Sequence, residues 1–94
     1  MLFVVSGFFK AGVEDKLGSL RMAFSDHLMQ TSPRIHLGGP LHDKRGAHVG
    51  VFFVVEGVGY DQAREMIADS AYTKAGLYDR VEVNSVKLEI GHLV

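Results

Sequence analysis

Residues 47–56 read Ala47-His48-Val49-Gly50-Val51-Phe52-Phe53-Val54-Val55-Glu56. β-Branched and aromatic side chains dominate this stretch, which suits a pleated strand. Successive side chains in a strand point to opposite faces. Val49, Val51, Phe53 and Val55 therefore fall on one side, and Phe52 and Val54 on the other. Both sides are apolar, so this strand needs cover on both. It is the strongest strand in the chain, and the rest of the fold is read outward from it.

Leu2–Phe9 (LFVVSGFF) has the same character, with Phe3 and Val5 opposed to Leu2 and Val4. It is the first strand, and Lys10-Ala11-Gly12 is the turn after it. Val13, Leu17, Leu20, Phe24 and Leu28 then recur at helical spacing, predicting a helix over about Val13 to Gln30. Glu14 and Asp15 favour its first turn, where the helix dipole is positive. Thr31-Ser32-Pro33 ends it, because Pro disfavours helix in the preceding residue. Arg34–Leu37 is expected as a short strand broken by Gly38-Gly39-Pro40, and Leu41–Gly46 (LHDKRG) as a polar hairpin loop.

Downstream, Gly57-Val58-Gly59 turns into a second helix, Tyr60–Ser70, with Ala63, Met66 and Ile67 inward. Tyr72–Ala75 is expected to add a helical turn closed by Gly76, a natural residue just past a helix end. Tyr78–Leu88 is the last strand, and Glu89–Val94 a tail. The order is βαββαβ. The expected class is α+β and ferredoxin-like, one domain over residues 1–94. Its four-stranded antiparallel sheet carries two helices on one face. The other face is apolar as well, and the cheapest cover for it is a second copy of the chain. A symmetric homodimer is therefore expected, joined through the open sheet face.

The chain has 94 residues, 47% of them hydrophobic, so a core is expected without covalent staples. There is no Cys, which removes disulfides, thiolate catalysis and Cys-ligated metal centres. Net charge is −1 with both signs scattered, so no phosphate-tracking surface and no nucleic-acid partner is expected. The longest apolar run, Val51–Val55, falls far short of the ~20 residues of a membrane span. No basic region precedes the first apolar stretch, so no secretory leader is expected. The expectation is a cytoplasmic protein with no membrane partner and no cofactor.

Ala68–Tyr78 (ADSAYTKAGLY) places a carboxylate, Asp69, at a helix end, followed by two aromatics. A negative charge is unfavourable at a helix C-terminus, so Asp69 calls for a partner. His27 is the natural one, lying beside the buried stripe of the first helix. An imidazole titrates near neutral pH, and a carboxylate on one ring nitrogen fixes its tautomer. His27 and Asp69 are thus the candidate catalytic pair. The structural alternatives are a half-buried His27 bonded to a backbone carbonyl and a solvated Asp69. Arg34 and Arg45 could hold an anionic or quinoid substrate. His48, placed on the face of Phe52, could line a pocket, and Tyr72 and Tyr78 could wall a small aromatic ligand or simply pack against the first helix. His36, His42 and His48 match no standard metal spacing, although His36 and His48 could face each other across antiparallel strands. The layout also echoes an RNA-recognition module, but Ala47-His48 stand where that module needs aromatics.

Three segments in this order resemble the YCII-like family of small dimeric α/β-barrel proteins: His27-Leu28 late in the first helix, the Gly38–Leu41 turn (GGPL), and Asp69 through Tyr78. Here the last segment reads Asp69-Ser70-Ala71-Tyr72, without the family's Pro after the Asp. Phe24 stands three residues before His27, where members often carry an Arg, and Arg21, six residues before His27 and about 600° around the helix from it, does not replace that Arg on the same face. The resemblance implies the ferredoxin-like fold, a dimer, and a His–Asp dyad at His27 and Asp69. One branch of the family removes chloride from a chlorinated hydroxyhydroquinone. The implied function is a small cofactor-free enzyme of lyase or isomerase type, moving a proton on, or eliminating from, a cyclic or aromatic-derived substrate. The alternative is a non-enzymatic ligand-binding or accessory module of the same fold.

Overall fold

The computed structural model describes residues 1–30, 34–57 and 59–92, with the side chain of Arg34 outside the described residues. The order is β1 (Leu2–Phe9), α1 (Glu14–Gln30), β2 (Arg34–His42), β3 (His48–Glu56), α2 (Tyr60–Ala68), α3 (Ala71–Lys74) and β4 (Tyr78–Val86). The expected helix stop at Thr31-Ser32-Pro33 and the Val58 turn lie outside the described residues. The strands form one antiparallel sheet in the order β2-β3-β1-β4. The two most apolar strands are thus central, where each has a neighbour on both edges. The fold is the expected α+β, ferredoxin-like one.

The core follows from strand alternation. Phe3 and Val5 of β1 and Val51, Phe53 and Val55 of β3 meet Leu17 and Phe24 of α1 and Ala63, Met66 and Ile67 of α2. Phe3, Val5 and Val55 are wholly buried, and removing such a side chain from water contributes roughly 1.5–3 kcal/mol. The opposite residues, Leu2, Val4 and Phe8 of β1 and Phe52 and Val54 of β3, remain half-buried. On that second face the Arg80 guanidinium lies 4.2 Å over the Phe8 ring, and Arg80 also bonds Glu82 at 2.7 Å.

Some expectations change. β2 is not broken at Gly38-Gly39-Pro40; it runs through to His42. As an edge strand it has a neighbour on one side only, where the missing N–H of Pro is tolerated. The hairpin loop shrinks to Asp43–Ala47, held by the Asp43 carboxylate accepting from the N–H of Arg45 (2.8 Å) and of Ala47 (3.0 Å). β4 stops at Val86 rather than Leu88.

Breaks in the strand register decide which side chains meet beneath the helices. Leu41 pairs Gly50 and His42 pairs His48, leaving Val49 unmatched on β3. Phe8 pairs Arg80 and Phe9 pairs Tyr78, leaving Asp79 unmatched on β4. An extra residue in one strand turns the side chains beyond it over to the other face. His48 therefore does not share the face of Phe52 as expected; it joins Val51 and Phe53 beneath the helices. Likewise, His48 stands opposite His42, not His36, and His36 instead bonds Glu56 at 3.1 Å. Tyr78 is carried to the helix face too, where it lies over Gly7. A Cβ there would come within 2.5 Å of the Tyr78 ring.

Candidate functional site

The two bulges gather aromatic rings at one end of the sheet. Phe9 stacks on Tyr78 with centroids 5.2 Å apart and meets His48 edge-on at 5.1 Å and Tyr72 edge-on at 5.4 Å. Tyr72 in turn stacks on Phe24 of α1 at 4.2 Å. Tyr72 is placed by the short helix α3, whose N-cap Ser70 accepts from the Thr73 N–H at 3.3 Å. Thr73 ties α3 to the end of α2 through its hydroxyl, bonded to the Ile67 carbonyl. The rings are thereby fixed on rigid elements.

Between α1 and the β2–β3 half of the sheet lies a cavity of about 590 Å³. Phe24, Phe53 and Tyr72 line it with aromatic surface, and Gly38-Gly39-Pro40 form its β2 side. Gly38 is needed there because a Cβ would come within 2.7 Å of the Phe53 ring. Polar side chains are few: Arg21 and Ser25 on α1, His48 on β3 and the Tyr72 phenol. An apolar concavity with a few convergent polar groups is the usual form of a small-molecule site.

His48 is the imidazole of this wall. Its Nε2 is buried and has no hydrogen-bond partner. Burial pushes its pKa below the ordinary value of 6.5; the Gly50 backbone works the other way, and positive charge at His42 and Arg21 adds to the lowering. A neutral imidazole always has one nitrogen free of hydrogen and able to accept. The Tyr72 phenol is pushed up by burial, with Arg21 acting against the shift. Tyr78 is pushed up further by burial and by Tyr72, while the nearby Ser70 hydroxyl offsets this a little without reaching hydrogen-bond geometry. Both phenols therefore stay protonated at neutral pH. Tyr78 packs behind Tyr72 rather than on the cavity surface, with centroids 6.3 Å apart.

The residues singled out from the sequence divide accordingly. His48 and Tyr72 line the cavity, Tyr78 stands one ring behind, and the Arg34 side chain lies outside the described residues. Arg45 sits in the exposed hairpin. His27 is half-buried, and its Nε2 lies 2.8 Å from the Met66 carbonyl oxygen. A carbonyl only accepts, so that nitrogen carries the proton. Met66 is in the last turn of α2, where carbonyls lack intrahelical partners. Asp69 caps the same helix end through its backbone, its N–H donating to the Glu65 carbonyl while the next N–H, of Ser70, donates to the Ile67 carbonyl. Its side chain is exposed and makes no hydrogen bond or ion pair among the described residues, with His27 or any other.

Arg21 and Ser25 were not singled out as site residues. Their signal was spacing: Arg21, Phe24, Ser25 and Leu28 fall at positions i, i+3, i+4 and i+7, one face of a helix. Among the described residues no three His, Asp or Glu side chains are placed to hold a metal ion, and no helix is long and apolar enough to cross a membrane.

No protein-family model matches the chain, and no curated protein matches it. Solved structures do. The 5-chloro-2-hydroxyhydroquinone dehydrochlorinase of Burkholderia phenoliruptrix, in complex with 2,5-dihydroxybenzoquinone, is 23% identical with a TM-score of 0.82, over 93% of this chain and 94% of that one. An uncharacterized NIPSNAP domain protein from Burkholderia xenovorans is 16% identical with a TM-score of 0.54, covering 95% of each chain. An Arabidopsis thaliana protein is 22% identical with a TM-score of 0.50, covering 98% of each. At these identities the likeness is one of fold.

Proposed function

We propose that the cavity beside His48 binds a small planar ring derived from an aromatic compound, and that the chain moves a proton on it, as a lyase or isomerase. One observation carries this reading: an imidazole with a buried, unpartnered Nε2 on the wall of an otherwise aromatic and apolar cavity of about 590 Å³. The likeness in fold to a dehydrochlorinase holding a dihydroxybenzoquinone supports it. So does the resemblance to the YCII-like family, within which we place the chain.

His48, kept neutral by its burial, is the base. In an isomerisation it takes the proton of a ring hydroxyl and returns it to a ring carbon, giving the keto form. In an elimination the proton goes to the imidazole, the O–H electron pair makes a C=O, and the adjacent ring C=C pair shifts one bond along toward the carbon that bears the leaving group. The leaving group then departs from a tetrahedral ring carbon with its own pair. Positioned proton transfer of this kind contributes typically ~10²–10⁴-fold. Phe24, Phe53 and Tyr72 hold the ring flat, and no cofactor enters the scheme.

The His27–Asp69 dyad is the second reading, favoured by the reach of the His27 ring from α1 to the end of α2, which Asp69 caps. It requires the exposed Asp69 carboxylate to reach the His27 ring. We also propose a homodimer joined through the half-buried face of Leu2, Val4, Phe52 and Val54.

Turnover of chlorinated hydroxyhydroquinones and of lactone substrates by the wild type, His48→Gln and His27→Ala separates these readings. Loss of ~10²-fold or more in His48→Gln alone is the expected result. Equal rates in wild type and His48→Gln would remove the role of His48. Loss confined to His27→Ala would transfer it to the dyad. Ring binding without turnover in any of them would leave a binding module.

A further inference from the structure

The cavity carries an imbalance of charge. Arg21 is the one lining side chain that is ionised at neutral pH, and no acidic residue lines the cavity. Among the described residues its guanidinium makes no hydrogen bond or ion pair. Its charge nevertheless acts across the cavity, lowering both His48 on β3 and Tyr72 on α3. Arg21 is itself exposed, so water screens its charge in part, and the walls around the space where a ligand would sit are aromatic and apolar. A low-dielectric wall strengthens the field of that charge relative to water.

Resting on the reading of this cavity as a ring-binding site, we infer that its ligand is an anion: an aromatic-derived ring bearing a carboxylate that Arg21 engages, with the ring against Phe24 and Tyr72 and a hydroxyl toward His48. A guanidinium matches a carboxylate through two parallel N–H···O bonds, which orients the ring as well as attracting it. A neutral ring gains the aromatic contact but leaves the charge unanswered. Arg21 is thus a specificity residue, acting on which ring is held and which way round. His48 acts on what happens to it.

The anion also couples to the base. A negative charge brought beside Arg21 cancels the repulsion that the guanidinium exerts on a protonated His48. Occupancy by a carboxylate therefore raises the His48 pKa, making the imidazole a stronger base only when an acidic ring is bound.

The test titrates the wild type, Arg21→Gln and Arg21→Lys with 2,5-dihydroxybenzoate and with neutral hydroquinone, following the His48 ring and the cavity aromatics by NMR. The expected result is at least ~10-fold tighter binding of the benzoate than of hydroquinone in the wild type. That preference is lost in Arg21→Gln and partly kept in Arg21→Lys. The His48 titration midpoint should also move up with the benzoate and not with hydroquinone. Equal binding of both rings, unchanged in Arg21→Gln, would overturn the anion inference while sparing the cavity as a ring site. Binding of neither ring, with no shift at His48, would overturn both. Tight benzoate binding that perturbs only residues away from the cavity would refute the assignment to Arg21.

Discussion

At the scale of single residues, the two imidazoles differ in what they face. His27 and His48 are both half-buried, yet one is engaged by a carbonyl and the other has a buried nitrogen with no partner. The pH dependence of His48 follows from its lowered pKa. In the unfolded chain His48 takes up a proton near 6.5, while in the folded chain it does so only at lower pH. Its neutral form thus contributes stability that is complete above 6.5 and is lost as pH falls through the folded value. Activity that needs the neutral imidazole should fall on the acid side with an inflection below 6.5, and that limb should vanish in His48→Gln. A pH–rate profile of kcat/KM on a hydroxylated ring checks this, and an inflection above 6.5 would contradict the neutral-base assignment.

The site was only partly legible at this scale. His48, expected on the face of Phe52, and Tyr72 were both legible as pocket linings, although His48 reaches the cavity from the opposite face. Arg21 and Ser25 were not, since a polar residue on a helix more often faces water. What makes Arg21 different is the cavity across from it, and a cavity belongs to no single segment.

At the scale of elements, α1 and α2 are linked by one side chain. The imidazole of His27 reaches the last turn of α2 and satisfies the Met66 carbonyl. Removing it leaves a part-buried acceptor without that donor. His27→Ala should therefore cost roughly 1–3 kcal/mol, read as a lower urea midpoint with an unchanged slope. Hydrogen exchange should quicken first at the end of α2 and in α3. Unchanged stability would mean that solvent replaces the imidazole at no cost. The short helix α3 depends on the same region, because Ser70, its cap, is wholly buried against it. Element types and order were readable from period and turn residues. The continuation of β2 through Gly38-Gly39-Pro40 was not. Whether Gly and Pro end a strand depends on whether it lies at an edge, and strand order is not written in local sequence.

At the scale of the whole molecule, the sheet has one face under the helices and one that is neither polar nor fully covered. Leu37 is 43% exposed on the edge strand, and Phe8, Phe52 and Val54 stay half-buried. Our proposed homodimer would close this face. Sedimentation at micromolar concentration should give a dimer, and Phe52→Glu with Val54→Glu should give a folded monomer. A wild-type monomer at that concentration would rule the dimer out. The Arg80–Glu82 pair lies on the same sheet face and is exposed enough that its contribution is small.

The sequence alone determined the class of the fold, the number and order of its main elements, and the two-faced character of its central strands. Those properties are local, since hydrophobic period and turn chemistry act over a few residues. Only the tertiary structure decided which histidine faces the cavity. That choice rests on single extra residues, Val49 and Asp79, that turn a strand over. Whether an extra residue bulges out depends on the partner strand's register, and so on contacts between residues far apart in the chain.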